Sequence, residues 1–429
     1  MNILYIIPGS GNSFYCGNCL RDSKYVGAVR DLGHQVVKIP MYLPLFSDEN
    51  DSNNIPLFYG AISIYLKQLY PLLRKAPAWF DRLLNSKPML KIAARMSGST
   101  RARGLGELTV SMLMGEHGEQ RQELDRMVAW IAGHCKPDVI HLSNALLLGL
   151  AGRIKEKLNV PVVCSLQDED VWVDVMKPAF RDRAWELMRE DAANVDLFVA
   201  VSDFYGGVMK ERMDLPAEKI KSVHLGVFPE DYPANPVESK GRNIGFISRM
   251  NHENGLDILV DAFIQLKQKH GFEDVRLVLT GGFTGDDVKY IKSNRKKLSR
   301  AGLLEYVDFH EDFVDAGRME FFRKVSVVSV PVRMGEAFGL YLVEAMASGV
   351  PVVQPALGAF PEIIGATGGG ITYPGNTPEN LALSLEKILG DKDMLRQKSL
   401  DARSGTQAHF DITRQTGKMI DAYKNILKS

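Results

Sequence analysis

Cysteine is scarce: the chain has only Cys16, Cys19, Cys135 and Cys164 among 429 residues. A secreted scaffold held by disulfides needs many more, so the expected compartment is reducing. Net charge is missing as well. Lys plus Arg and Asp plus Glu each total 52, a formal charge of +0. No global field draws such a protein to nucleic acid or to an anionic surface, and no nucleic-acid partner is expected. No apolar run has the length of a membrane span. The opening MNILYIIPGS lacks a basic n-region and a small-residue cleavage site, which reads as no signal peptide. A cytoplasmic location is the expectation. Internal repeats and low-complexity tracts are absent too, so no solenoid or array is expected.

What is present is alternation of strand and helix patterns. NILYIIP is a short apolar run closed by Pro and Gly and reads as a buried strand. In CLRDSKYVGAVRDLG, Leu20, Tyr25, Val29 and Leu32 lie near one helical face, and Gly33 stops the helix. HQVVKIP is a second buried strand. This βαβ unit predicts a parallel sheet covered on both faces. Residues 42–128 break the rhythm with aromatic and basic residues, and read as a helical insertion on the first domain. The alternation then resumes and runs to IKSVHLG. FPEDYPANPVESKGRN, with three prolines among polar residues, reads as a linker. A second α/β set runs from IGFIS to PVVQPAL, and the helix ITRQTGKMIDAYKNILKS follows it. The expected fold is α/β, two Rossmann-like parallel-sheet domains facing a central cleft. Their expected bounds are 1–235 and 236–410, with a C-terminal helix, 411–429, crossing back to the first. Ligands in open α/β sheets bind beyond the carboxyl ends of the strands.

The stretch SVVSVPVRMGEAFGLYLVEAMASGVPVVQPALGAFPEII, residues 326–364, carries the chemistry. A strand runs into a loop punctuated by Gly335 and Gly339 and then into a helix. A helix start holds about half a positive charge and unsatisfied N–H groups, a ready site for phosphate. Glu336 sits in the loop and Glu344 about a turn into the helix. A carboxylate pointing at the phosphate would repel it, so both are expected to face hydroxyl groups, as carboxylates suit vicinal diols. Phosphate, sugar diol and ribose diol together describe a nucleotide sugar.

EAFGLYLVE matches the Glu-x7-Glu motif of retaining glycosyltransferases. With EAMASGVPVVQPALGAFPEII, IGFISRMNHENGLDILVDAF and VRLVLTGG, the chain resembles glycosyltransferase family 4 of the GT-B fold. The resemblance implies a metal-independent, retaining hexosyltransferase. It would move sugar from a nucleotide-diphosphate sugar to a carbohydrate or lipid-linked acceptor, with no cofactor beyond the donor. It makes Glu336 and Arg249 the catalytic residues. Glu336 would hold sugar hydroxyls and Arg249 would neutralise the diphosphate. Phosphate contacts fall to the N–H groups of Phe338, Gly339 and Leu340, and ribose contacts to Glu344. Gly11, Asn254, Gly282 and Ala337 complete the donor site, and His310 to Val314 would meet the base. Acceptor binding falls to Asn12, Gly17, Asn18, His141, Gln167 and Asp168. In the loop after the first strand, Gly9, Gly11 and Gly17 would shape the backbone, and Asn12, Ser13 and Asn18 would offer donors.

Two positions depart from the family pattern. Asn254 stands where the family carries Lys, and a lost charged donor at a phosphate costs about 2–4 kcal/mol in the transition state. Lys324, Arg333 and Lys38 are candidates to replace it. Gln167 stands where many members carry His; it cannot shuttle a proton, but the leaving phosphate can take the acceptor's proton instead. These departures keep two alternatives in view: a non-catalytic nucleotide-sugar-binding protein, and a GT-B nucleotide-sugar epimerase or hydrolase.

Other features have weaker claims. Cys16-x-x-Cys19 resembles a redox pair, but no thioredoxin-sized domain surrounds it and a zinc site needs two more ligands. The dinucleotide fingerprint fails, since GSGNSF lacks its third Gly and HQVVKIP ends without an acid. His141 reads either as a capped residue at a strand end or as a cleft residue. Asp168, Glu169 and Asp170 read either as a helix-start cap in a solvated loop or as ligands for acceptor hydroxyls. Trp172, Trp79, Tyr65 and Tyr70 read as packing. The insertion reads first as an amphipathic cap over the acceptor site. The other reading is a patch in region 60–95 touching the inner membrane face, with Lys67, Arg74, Lys75, Arg82, Lys87 and Lys91 beside Trp79 and Phe80.

Overall fold

Apolar runs too short for helices and buried on both faces become the strands of two parallel sheets. The computed structural model describes residues 1–8, 17–41, 58–59, 104–234, 236–310 and 312–428. These fall into two compact units. One is built on residues up to Val223 and takes in Thr416–Ser429, and the other is built on His224–Gln415. The last helix, Ile412–Ile426, is therefore divided between them.

The first unit carries β1 (Asn2–Ile7), β2 (Gln35–Pro40), β3 (Val139–Leu142), β4 (Val162–Leu166), β5 (Leu197–Ala200) and β6 (Ile220–Ser222). Their order is β2-β1-β3-β4-β5-β6, all parallel where paired. Every residue of β3, β4 and β5 is buried, as expected of a parallel sheet covered on both faces. The order turns back on itself at β1, whose neighbours are β2 and β3. The helix Gly106–Leu113, placed in the insertion by the sequence pattern, packs on the helix Pro178–Asp191 of this unit. The basic and aromatic residues of region 60–95 lie outside the described residues.

The second unit carries β7 (Asn243–Ile247), β8 (Arg276–Thr280), β9 (Val307–Phe309), β10 (Val327–Val328), β11 (Val352–Pro355) and β12 (Gly370–Tyr373). Their order is β12-β11-β10-β7-β8-β9, again parallel. The chain starts at β7, moves outward through β8 and β9, then returns to the other side of β7. The switch point lies between β7 and β10, the place at which open α/β sheets in general bind their ligands. Ile244, Phe246 and Ile247 of β7 are fully buried, each contributing about 1.5–3 kcal/mol by burial.

Candidate functional site

The loop after β10 ends at Gly339, whose φ of +88° is left-handed and starts the helix Leu340–Ala347 without a side-chain cap. A side chain here would sit 3.1 Å from the Phe360 ring and 3.3 Å from Glu336 Oε2, so glycine answers both conformation and space. Glu336 is half-buried beside this helix start, and its carbonyl accepts from Ala359 N at 3.0 Å. Ala337, Phe338 and Leu340 are buried. The Phe338 ring packs against Phe410 and His224, which leaves the backbone to shape the turn. At the far end of the helix, Arg403 donates to the Ala347 carbonyl at 2.7 Å, satisfying a C-terminal group and complementing the dipole.

Glu344 has partners that the sequence pattern does not reveal. It is fully buried, accepts from the Tyr232 hydroxyl at 2.7 Å, and lies 3.5 Å from Arg318 Nε. Burial and the Glu344 charge push the Tyr232 hydroxyl far above its usual range.

Arg249 follows β7. Its guanidinium is held by Asp287, with Nε to Oδ2 at 2.8 Å, and by Thr284 Oγ1 at 2.8 Å. Asn254 braces the same turn, donating to Ser248 Oγ at 2.7 Å and to the Arg249 carbonyl at 3.0 Å. The glycine after it, Gly255, has φ +72°, and a Cβ there would lie 2.0 Å from the Pro331 carbonyl. Gly282 accepts from Met250 N at 3.0 Å, stitching the turns after β7 and β8 together. Among the proposed substitute cations, Lys324 is misplaced. Its carbonyl accepts from Asn243, at the amino end of β7, and its ammonium pairs with Glu320 at 2.8 Å. Arg333 lies at the correct edge but is committed to Asp257, at 2.8 and 2.7 Å. Lys38 is buried within β2.

In the first unit, the acceptor-site assignment of His141 needs correction. His141 is fully buried, with Nδ1 2.5 Å from the Tyr423 hydroxyl and Nε2 2.8 Å from Ser165 Oγ. Both ring nitrogens serve the core, where the Tyr5 ring lies 4.5 Å away, so His141 is not presented to an acceptor. Asp168 has a left-handed φ of 55° and begins the helix Glu169–Val173 with no side-chain cap, so the capping reading of this acid also fails. Its neighbour Glu169 is the buried acid. It accepts from Ala145 N at 2.9 Å, Gln167 N at 2.6 Å and the Tyr205 hydroxyl at 2.9 Å. Burial pushes its carboxyl up to about 7 against the pull of these donors. Gln167 donates to the Ser143 carbonyl at 2.8 Å, and its buried Oε1 has no partner among the described residues.

Gly17 opens the helix Gly17–Asp31. Gly11, Asn12 and Cys16 lie outside the described residues, as do the side chains of Asn18 and Cys19. Among the described residues Cys135 and Cys164 are free thiols, and burial pushes both above the usual range.

Residues 241–391 match the protein family described as "Glycosyl transferases group 1", and residues 110–231 match "Glycosyltransferase Family 4". A phosphatidyl-myo-inositol mannosyltransferase of Mycobacterium leprae is 28% identical over 190 residues, 44% of this chain and 48% of that protein. The chain thus spans about half the length of this curated relative. The fold is similar to that of sucrose-phosphate synthase from Thermosynechococcus elongatus, with a TM-score of 0.72 and 17% identity over 100% of this chain and 99% of that one. It is also similar to Anabaena HepE, solved in complex with UDP-glucose, with a TM-score of 0.66 and 18% identity over 99% of this chain and 100% of that one. Two six-stranded parallel sheets, the second with a glycine-turned helix start, define the class of fold, GT-B, and the matched family models support glycosyltransferase function on it. Within that class the two matched segments support a family 4-like glycosyltransferase.

Proposed function

We propose that this glycosyltransferase moves a hexosyl group, with retention, from a nucleotide-diphosphate sugar to a carbohydrate or lipid-linked acceptor. The observation that carries the reading is the Gly339 helix start with the Glu336 carboxylate beside it. The helix end and Arg249 meet the negative charge that develops on the leaving diphosphate, which needs no divalent metal. Glu336 accepts hydrogen bonds from hydroxyls of the departing sugar. The bond from C1 to the diphosphate oxygen breaks and the bond from C1 to the acceptor oxygen forms on the same face. The acceptor's proton passes to the released diphosphate, so no protein base is required at Gln167. Glu344 engages the ribose by exchanging its Tyr232 bond.

The UDP-glucose complex of HepE supports a nucleotide-sugar donor, and the name of the mycobacterial relative supports a hexosyl group and a lipid-linked or polyol acceptor. Among the described residues no helix is long and apolar enough to cross a membrane. Contact with a lipid-linked acceptor at a membrane surface is assigned, within this proposal, to region 60–95.

The test is release of nucleoside diphosphate from a panel of sugar nucleotides, with and without acceptors. Release that depends on acceptor supports transfer. Release without acceptor makes the protein a hydrolase, and binding without release makes it a non-catalytic sugar-nucleotide binder.

A further inference from the structure

Arg249 does not stand free at the end of β7; the loop after β8 closes on its guanidinium. Nε donates to Asp287 Oδ2 at 2.8 Å, and one terminal nitrogen donates to Asp287 Oδ1 at 3.2 Å and to Thr284 Oγ1 at 2.8 Å. Asp287 and Thr284 are each only 6% exposed. The same carboxylate accepts from Thr284 N at 2.8 Å and from the Thr284 hydroxyl at 2.9 Å, closing a capping box at a short 3₁₀ turn. Burial raises the Asp287 carboxyl, but Arg249 and Thr284 outweigh it and hold it below the usual range. It is therefore a fixed anion facing the arginine.

A guanidinium is a planar, rigid fork, and a carboxylate bonded to Nε and one terminal nitrogen fixes both its plane and its direction. The Arg249 backbone is tied as well, because its carbonyl accepts from Asn254 Nδ2 at 3.0 Å and the next residue bonds Gly282. An arginine loses about 1.5–2 kcal/mol of rotamer entropy when immobilised, and here that loss precedes any ligand. Asp287 also lowers the net positive charge offered to an anion. The arrangement favours direction over charge.

We propose that Asp287 is the positioning residue for Arg249, aiming its guanidinium at the leaving diphosphate, with Thr284 completing the cradle. This rests on the proposed donor role of Arg249. The consequence is a split between binding and turnover. Asp287→Asn removes the carboxylate charge held against Arg249, so a diphosphate binds as tightly as before or more tightly. The guanidinium loses its aim, so turnover falls.

The experiment compares wild type, Arg249→Ala, Asp287→Asn and the double variant in two readouts. One is binding of inorganic pyrophosphate by calorimetry; the other is kcat and KM with the sugar nucleotide that the wild type consumes. Arg249→Ala is expected to weaken pyrophosphate and lower kcat by at least about tenfold each. Asp287→Asn is expected to lower kcat about tenfold, with donor KM within about threefold and pyrophosphate binding undiminished. In the Arg249→Ala background Asp287→Asn is expected to change kcat by less than about twofold. An Asp287→Asn effect of equal size with Arg249 absent, or a parallel loss of kcat and pyrophosphate affinity, overturns the inference. Wild-type behaviour of Arg249→Ala would instead overturn the donor-site reading beneath it. If Asp287→Asn fails to fold, Thr284→Val tests the same cradle, with the same split expected at smaller amplitude and its absence counting against it.

Discussion

The Tyr232 hydroxyl donates to Glu344 Oε1 at 2.7 Å, which ties the segment between β6 and β7 to the helix that begins at Gly339. Glu344 is fully buried, so this bond is made where water cannot replace it. Tyr232→Phe keeps the ring packed near Phe322 but removes a donor from a buried carboxylate. The expected loss is about 1–3 kcal/mol in urea unfolding. Glu344→Gln should cost more, because it leaves Arg318, only 3% exposed, without the carboxylate charge 3.5 Å from its Nε. Equal stability of wild type and Tyr232→Phe would show that the hydroxyl contributes nothing there.

Whether Glu344 also engages ribose is decided by removing a hydroxyl from the nucleotide and the carboxylate charge from the protein. If it exchanges its Tyr232 bond for a ribose bond, a nucleoside diphosphate binds more tightly than its 2′-deoxy or 3′-deoxy counterpart. The difference is expected to be about 1.5–3 kcal/mol in wild type, as for a hydrogen bond to a charged group, and much smaller in Glu344→Gln. A deoxy penalty of the same size in both proteins would assign the ribose to other groups.

Glu336 makes the complementary prediction. It flanks the helix start without being part of it, so its loss should spare the phosphates and harm the sugar. Glu336→Ala is expected to lower kcat/KM about 10–100-fold, the worth of one charged hydrogen bond. Pyrophosphate binding should stay at the wild-type value. A parallel loss of pyrophosphate affinity would mean that Glu336 shapes the turn instead of holding the sugar.

These residues divide by how far away their partners lie in the chain. The strands, the Gly339 turn and the carboxylate spacing are local patterns, set by burial on two faces and by glycine's access to positive φ, so they can be read from short windows. Partnership is different. Asp287 meets Arg249 because β8 pairs with β7; the Thr-x-x-Asp spacing in GGFTGDD marks a helix cap and says nothing of the arginine. Tyr232 lies in a proline-rich stretch whose composition suggests only a linker, yet it reaches Glu344. His141 closes on Tyr423, near the far end of the chain, which turns a strand-end histidine into a core residue. Asn254 looks like a missing cation until Ser248 and the Arg249 carbonyl are seen to occupy it. The sequence identifies the kind of site, and the sheet order selects its supporting residues.

Gly339→Ala tests the turn itself. A φ of +88° costs an L-residue about 1–2 kcal/mol, and the new methyl would crowd Phe360 and the Glu336 carboxylate. The variant is expected to unfold at lower temperature and to bind pyrophosphate more weakly, because the helix start is displaced. Unchanged pyrophosphate affinity in a folded Gly339→Ala would separate this turn from phosphate binding.

Two acids of the first unit, the buried Glu169 and the half-buried Asp191, set a pH dependence whose sign follows from their shifts. Burial raises Glu169 from 4.5 to about 7, and burial followed by the charge of Glu190 raises Asp191 from 3.8 to about 7. The folded protein therefore holds these protons more tightly than the unfolded chain. Their stabilisation is full below the unfolded values and is lost as pH rises through about 7. For Glu169 the difference is worth about 3 kcal/mol, at 1.36 kcal/mol per unit. Urea unfolding of the wild type should show lower stability at pH 8 than at pH 5. Glu169→Gln keeps one oxygen, which serves either Ala145 N or the pair Gln167 N and Tyr205 hydroxyl, and does not ionise, so it should flatten that slope and leave the Asp191 part. A slope unaltered by Glu169→Gln would mean that Ala145, Gln167 and Tyr205 hold the carboxylate charged, and that its burial is fully offset by their three hydrogen bonds.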